Sequence, residues 1–164
     1  MSSWNRRGLD GYRPDVVRVA LGAVLASALL LLGVARAELL PGSQGAQDAL
    51  LAVSPDGSPR VAFVAADGSL QVAARAVDGT WSAQTLAGLP GSRALVVGLS
   101  VAPSGAASLL AEDPAGHWLA LAEQQGGSWR VRVVARAPAG GLLGFGGLAL
   151  DAAGRPLIAY AYAL

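Results

Sequence analysis

Cysteine is absent from this sequence, which excludes disulfides, thiolate metal sites and cysteine nucleophiles. Histidine occurs once, at His117. Without a second imidazole or a thiolate, a zinc site lacks its ligands. A Ser-His-Asp set would depend on that single ring. Lysine is also missing, so all 12 basic residues are arginine. Aromatics make up only 5% of the chain, while 53% is apolar. One N-terminal run inflates that apolar share, and much of the remainder is Ala and Val. Gly (22) and Pro (9) are frequent, as a chain of many turns requires.

The net charge of +1 hides a division. Residues 1–37 carry five Arg against Asp10 and Asp15, giving +3. Residues 38–164 carry seven Arg against nine acids, giving −2. The larger part has no basic stripe of the kind that nucleic-acid binding needs, so no nucleic-acid partner is expected.

Val19 to Ala35 is an uncharged apolar run preceded by four Arg and followed by Ala35-Arg36-Ala37. These are the parts of a signal peptide: a basic start, an apolar middle and small residues before a cleavage point, here between Ala37 and Glu38. A retained membrane anchor needs about 17–25 apolar residues, and 19–35 also meets that minimum. Arginine on the N-terminal side places the rest of the chain outside the membrane in either case. Asn5-Arg6-Arg7-Gly8-Leu9 resembles a twin-arginine export signal; an arginine pair that merely sets orientation is the plainer reading.

Beyond residue 38 the sequence repeats. The segments Leu51–Gly57, Leu99–Gly105 and Leu148–Gly154 align, their glycines 48 and 49 positions apart. An apolar run follows each. Gly79-Thr80-Trp81 aligns with Gly127-Ser128-Trp129, and Pro41, Pro90 and Pro138 recur before each unit. The units span about 39–87, 88–135 and 136–164, the last incomplete. Each full unit reads as four strands: 49–53, 60–65, 69–76 and 80–86 in the first, then 96–102, 106–111, 117–124 and 128–135 in the second. Alternation in Trp129-Arg130-Val131-Arg132-Val133 puts Arg130 and Arg132 on one face. Asp56-Gly57, Asp67-Gly68 and Asp78-Gly79 mark tight hairpin turns, where Asp-Gly supplies positive φ. Four short antiparallel strands in each stretch of about 40–50 residues are the mark of a propeller blade.

Ala52–Phe63 (AVSPDGSPRVAF) and Leu150–Tyr160 (LDAAGRPLIAY) resemble the strand–turn–strand unit of sialidase-like, Asp-box-like repeat proteins found outside the bacterial cytoplasm. Trp81 and Trp129 before the last strand of each unit agree with that resemblance. Ser54-Pro55-Asp56-Gly57 also resembles the turn of TolB-type propeller repeats. The resemblance implies an all-β fold: a partial β-propeller of two four-stranded antiparallel blades plus half of a third, preceded by one N-terminal hydrophobic helix. A strict Asp box separates its Asp and Gly by one residue, whereas Asp56 and Gly57 are adjacent and Ser104 stands in the second unit. A sialidase-type activity is therefore not supported by these residues. The third unit ends after two strands, which suggests a fragment of a longer chain or a short chain that assembles with copies of itself.

Few residues invite chemistry, and each has a plainer reading. His117 aligns with Ser69 at a strand start, where a surface or partly packed ring is expected. Glu112 and Asp113 are adjacent; neighbours on a strand end point apart and do not make a facing acid/base pair. The run from Gly140 to Gly147 lacks the spacing and the following helix of a phosphate cradle and reads as a linker between units. Trp81 and Trp129 are expected to fill the gap between neighbouring blades rather than stack on sugars. Tyr160 and Tyr162 share one strand face and are expected in the core or at an edge. No catalytic, cofactor-binding or metal-binding residues are expected. The sequence suggests an exported binding or scaffolding module with a protein or carbohydrate ligand, touching the membrane only through 19–35 and able to self-associate through open blade edges. The alternative is part of a secreted glycoside hydrolase whose active site lies in blades beyond this sequence.

Overall fold

Hydrophobic stretches of five to nine residues bounded by Gly-containing turns become strands throughout. The structure, a computed structural model, describes residues 38–91 and 93–163, without the side chain of Phe145. The expected hydrophobic helix and the export segment fall within 1–37 and lie outside the described residues. Among the described residues the chain is all-β, with three antiparallel sheets and no helix. The first sheet holds β1 (Gln47–Val53), β2 (Pro59–Val64), β3 (Leu70–Arg75) and β4 (Trp81–Thr85). The second holds β5 (Leu95–Val101), β6 (Ala107–Glu112), β7 (Trp118–Gln125) and β8 (Ser128–Arg136). The third pairs β9 (Leu142–Leu150) with β10 (Pro156–Ala163). Each sheet follows chain order. The eight strands expected in the first two units match within two residues at either end.

The turns differ from a simple Asp-Gly hairpin. Gly57 N donates to Ser54 O at 2.8 Å, and Ser54 N donates to Ser58 O at 2.9 Å. Gly57 takes φ 84°, while Asp56 stays out of the positive-φ region. This is a three-residue loop whose glycine forms the left-handed bulge. The aspartate does a separate job: Asp56 Oδ1 accepts from Ser58 N at 2.9 Å. Asp67 and Asp78 repeat the arrangement and also accept from the hydroxyls of Ser69 and Thr80, at 2.7 and 2.6 Å. These bonds favour the ionised carboxylate. The Ser58 amide holds Asp56 below the usual carboxylate range, and the Ser69 and Thr80 hydroxyls do the same for Asp67 and Asp78. A depressed folded-state value means that the contribution to stability is present above the unfolded value near 3.8 and is lost as pH falls through the folded one. Carboxyl-carbon NMR titration is expected to give lower midpoints for these three aspartates in the folded chain than in the acid-unfolded chain. Equal midpoints would contradict the turn geometry.

A feature with no clear sequence signal recurs in the first strand of every sheet. The register shifts between Gln47 and Ala49 in β1, between Val96 and Gly98 in β5, and opposite Ala159 to Ala161 in β9. Asp48, at φ 50°, marks the first of these bulges. The shifts fall two to three residues before Leu51, Leu99 and Leu148, so each first strand bends at nearly the same point.

The sheets stack face to face, and their first strands lie against one another, β1 beside β5 and β5 beside β9. The interior is layered accordingly. Ala62, Val64, Leu70 and Val72 of the first sheet meet Leu109, Ala111, Ala120 and Ala122 of the second. Leu110, Leu119 and Leu121 of the second meet Leu148 and Ile158 of the third. On the outer side of the first sheet, Phe63, Ala65 and Ala73 are covered by Leu40 and Ala46. The glycine-rich run is a correction to the linker expectation. β9 begins at Leu142, so Gly144, Gly146 and Gly147 lie within a strand. They matter for packing: a Cβ on Gly146 would fall 2.9 Å from Leu110 Cδ2, and one on Gly98 would fall 2.7 Å from Leu148 Cβ. The second and third sheets can sit this close only because these two positions lack side chains.

Candidate functional site

Polar side chains converge at one end of the second sheet. The β5–β6 turn, the end of β7 and the β9–β10 turn of the third sheet enclose a groove of about 370 Å³. Ser104, Ser108, Glu123, Gln124 and Gln125 line it, together with the backbone around Gly154. Ser108 is buried. Gln124 Oε1 accepts from Ala107 N at 3.4 Å, which ties the two hairpins together. Glu123 Oε2 accepts from Arg132 Nε at 3.4 Å. Arg132 and Arg130 are both exposed, as the alternation in β8 predicts. The groove offers hydroxyls, amides and one paired carboxylate, a set suited to hydrogen bonding and lacking a nucleophile–base pair. Sequence reasoning did not single it out, because its groups come from separate hairpins and two sheets.

His117 lies at the opposite end of β6. Its Nδ1 is 2.9 Å from Asp113 Oδ2, and the ring is largely exposed. Asp113 Oδ1 also accepts from Ala115 N at 3.2 Å. The pair closes the β6–β7 turn, and the serines of the groove are across the sheet from it, so they form no Ser-His-Asp set with it. Glu112 and Asp113 do not act as a pair: Asp113 faces the turn, while partial burial pushes the Glu112 carboxyl up. Among the described residues no group of three His, Cys, Asp or Glu is placed to hold a metal ion.

Trp129 packs against the cluster shared by the first two sheets, and its Nε1 donates to Gln84 Oε1 of β4 at 3.2 Å. It fills the gap between sheets, as its recurrence suggests. Trp81 packs against the outer cluster of the first sheet. Tyr160 and Tyr162 lie on β10 at the edge of the third sheet, both side chains exposed, which is the edge placement of the two expected. The buried hydroxyl of Ser54 has no hydrogen-bond partner, and it does not line the groove. No helix among the described residues is long and apolar enough to cross a membrane.

No family model matches the sequence, and no curated protein matches it. The likeness to sialidase-like repeats therefore rests on the sequence motifs alone.

Proposed function

We propose that residues 38–164 form blades of a β-propeller that serves as a binding or scaffolding module outside the membrane, with a protein or carbohydrate ligand in the groove beside Gln124. One observation carries the reading of the fold: three sheets in chain order, each first strand bulged at nearly the same point, stacked so that their first strands adjoin. A propeller blade places its first strand nearest the axis, and this stacking suits that arrangement. The location rests on the export segment at 19–35. The binding role rests on a polar groove built across two sheets and on its mixed hydroxyl and amide lining. Fold alone does not give function, so the groove is the part to test.

The full chain is expected to bind a subset of an array of neutral and acidic oligosaccharides, or a protein from cell-surface extracts, saturably. Gln124→Ala combined with Glu123→Ala is expected to weaken that binding about tenfold, the loss of one or two hydrogen bonds, without unfolding the chain. Unchanged affinity in the double variant would overturn the groove as the site. Protection of residues 38–164 from protease added outside intact cells would overturn the location.

A further inference from the structure

The two junctions between sheets share one register, yet the same position carries an arginine at the first and a serine at the second. Arg60 of β2 pairs with Ala52 and Ala74, as Ser108 of β6 pairs with Ser100 and Glu123. At the first junction the Arg60 guanidinium reaches across to the next sheet, where Nη2 donates to Gly105 O of the β5–β6 turn at 3.3 Å. At the second junction the counterpart of Gly105 is Gly154 of the β9–β10 turn, 49 positions on and also at positive φ. Ser108 is too short to reach it, and the space they flank is the groove of about 370 Å³. The cross-strand neighbour changes in the opposite sense: Ala74 stands beside Arg60, but Glu123 beside Ser108. The second junction therefore lacks the cation of the first and carries a carboxylate that the first does not have. Two acceptors there are still available. Ser108 is only 7% exposed, and no hydrogen bond among the described residues uses its hydroxyl. Glu123 accepts from Arg132 through Oε2, which leaves Oε1 to another donor. Both sheets of the first junction have four strands, and Arg60 and Ala74 stay half-buried there. This position is thus open to solvent even between full sheets.

We infer that the groove takes a guanidinium, the side chain of an arginine on a partner protein, seated over Ser108 where Arg60 lies at the first junction. Its N–H groups donate to Gly154 O, the counterpart of Gly105 O, to the Ser108 hydroxyl and to Glu123 Oε1. A guanidinium presents a planar fork of donors and can serve several acceptors at once, whereas a lysine ammonium is a compact point charge. A neutral sugar offers neither the charge nor the fork. The surplus of acids over arginines in residues 38–164 favours a cationic partner in the same sense. The inference rests on the reading of the groove as the binding site and names which of its two ligand classes it takes.

The test is an NMR titration of the isotope-labelled full chain, held in non-ionic detergent, with a blocked glycine–arginine–glycine peptide and its lysine and citrulline counterparts. The arginine peptide is expected to shift the amides of Ser108, Glu123 and Gly154 saturably. The lysine peptide should bind about tenfold more weakly, because a point charge makes fewer of the bonds. The citrulline peptide has the same shape without the charge and is expected to leave these amides unmoved. Glu123→Gln is expected to weaken the arginine peptide about tenfold, as the loss of a charge-assisted hydrogen bond does. Ser108→Arg supplies the guanidinium from within the chain, as Arg60 does, and is expected to abolish the shifts while its melting curve matches the wild type. Should that variant fail to fold, Glu123→Gln carries the test. Equal binding of the arginine and citrulline peptides, or equal binding by the wild type and Glu123→Gln, would overturn the inference. Amides that ignore the arginine peptide would overturn it too. If an oligosaccharide still shifts them, the groove stands as the site and only its ligand class is wrong; if nothing shifts them, the groove reading falls as well.

Discussion

Leu110→Ala is expected to lower the unfolding free energy by about 3–5 kcal/mol, in the upper part of the range for leucine truncation. The side chain is fully buried between the second and third sheets. Such losses grow with the cavity that remains, and this cavity cannot close easily. The backbones on either side are already at contact, through Leu148 over Gly98 and through Leu110 itself beside Gly146. With a urea slope of about 2 kcal/mol per molar, the midpoint should fall by roughly 1.5–2.5 M. Leu157→Ala is the control. Leu157 is 58% exposed on the outer face of the third sheet, and its truncation is expected to stay within about 0.5 kcal/mol. If both variants unfold at the wild-type midpoint, the third sheet is not seated on the second as described.

Much of this architecture was legible before any coordinates. The 48- to 49-residue spacing located all eight strands of the first two units, because glycine and aspartate at turns and alternation within strands are local signals. The bulges were not legible. Asp48 at positive φ and the two residues of β9 opposite Tyr160 look ordinary in sequence, since a bulge is defined by the partner strand. The Gly140–Gly147 run was misread for a related reason. Glycine signals a loop locally, but here Gly146 and Gly147 are strand positions, and what demands Gly146 is the close approach of Leu110 and Leu119 on the neighbouring sheet, which no local pattern shows. The groove escaped notice because Ser104 is an ordinary turn residue, and Glu123 and Gln124 ordinary residues near a strand end, until two hairpins bring them together. His117 was expected as a surface residue, and it is one, but its pairing with Asp113 depends on the extra residue in the β6–β7 turn.

Gly98→Ala and Gly147→Ala are expected to change stability in opposite directions, although the two positions are equivalent in the repeat. Neither glycine has positive φ, so alanine gains about 0.4–1 kcal/mol at either site by restricting the unfolded chain. At Gly147 nothing opposes that gain, because the added methyl meets open space. At Gly98 the methyl would lie 2.7 Å from Leu148 Cβ and 3.4 Å from Leu148 N. Both atoms are fixed to the backbone, so no rotamer change relieves the overlap and the sheets must part. Overpacking of this kind costs about 1–3 kcal/mol, more than the entropic gain. A contrast is available at Gly146, where the added methyl would meet Leu110 Cδ2 and Leu119 Cδ1, the ends of flexible side chains; the loss there should be smaller. Leu148→Ala would keep the offending Cβ, so the diagnostic partner is Leu148→Gly. In that background Gly98→Ala should no longer be destabilising, a coupling of about 1–3 kcal/mol in a double-mutant cycle. Additive effects would mean that Leu148 does not seat over Gly98.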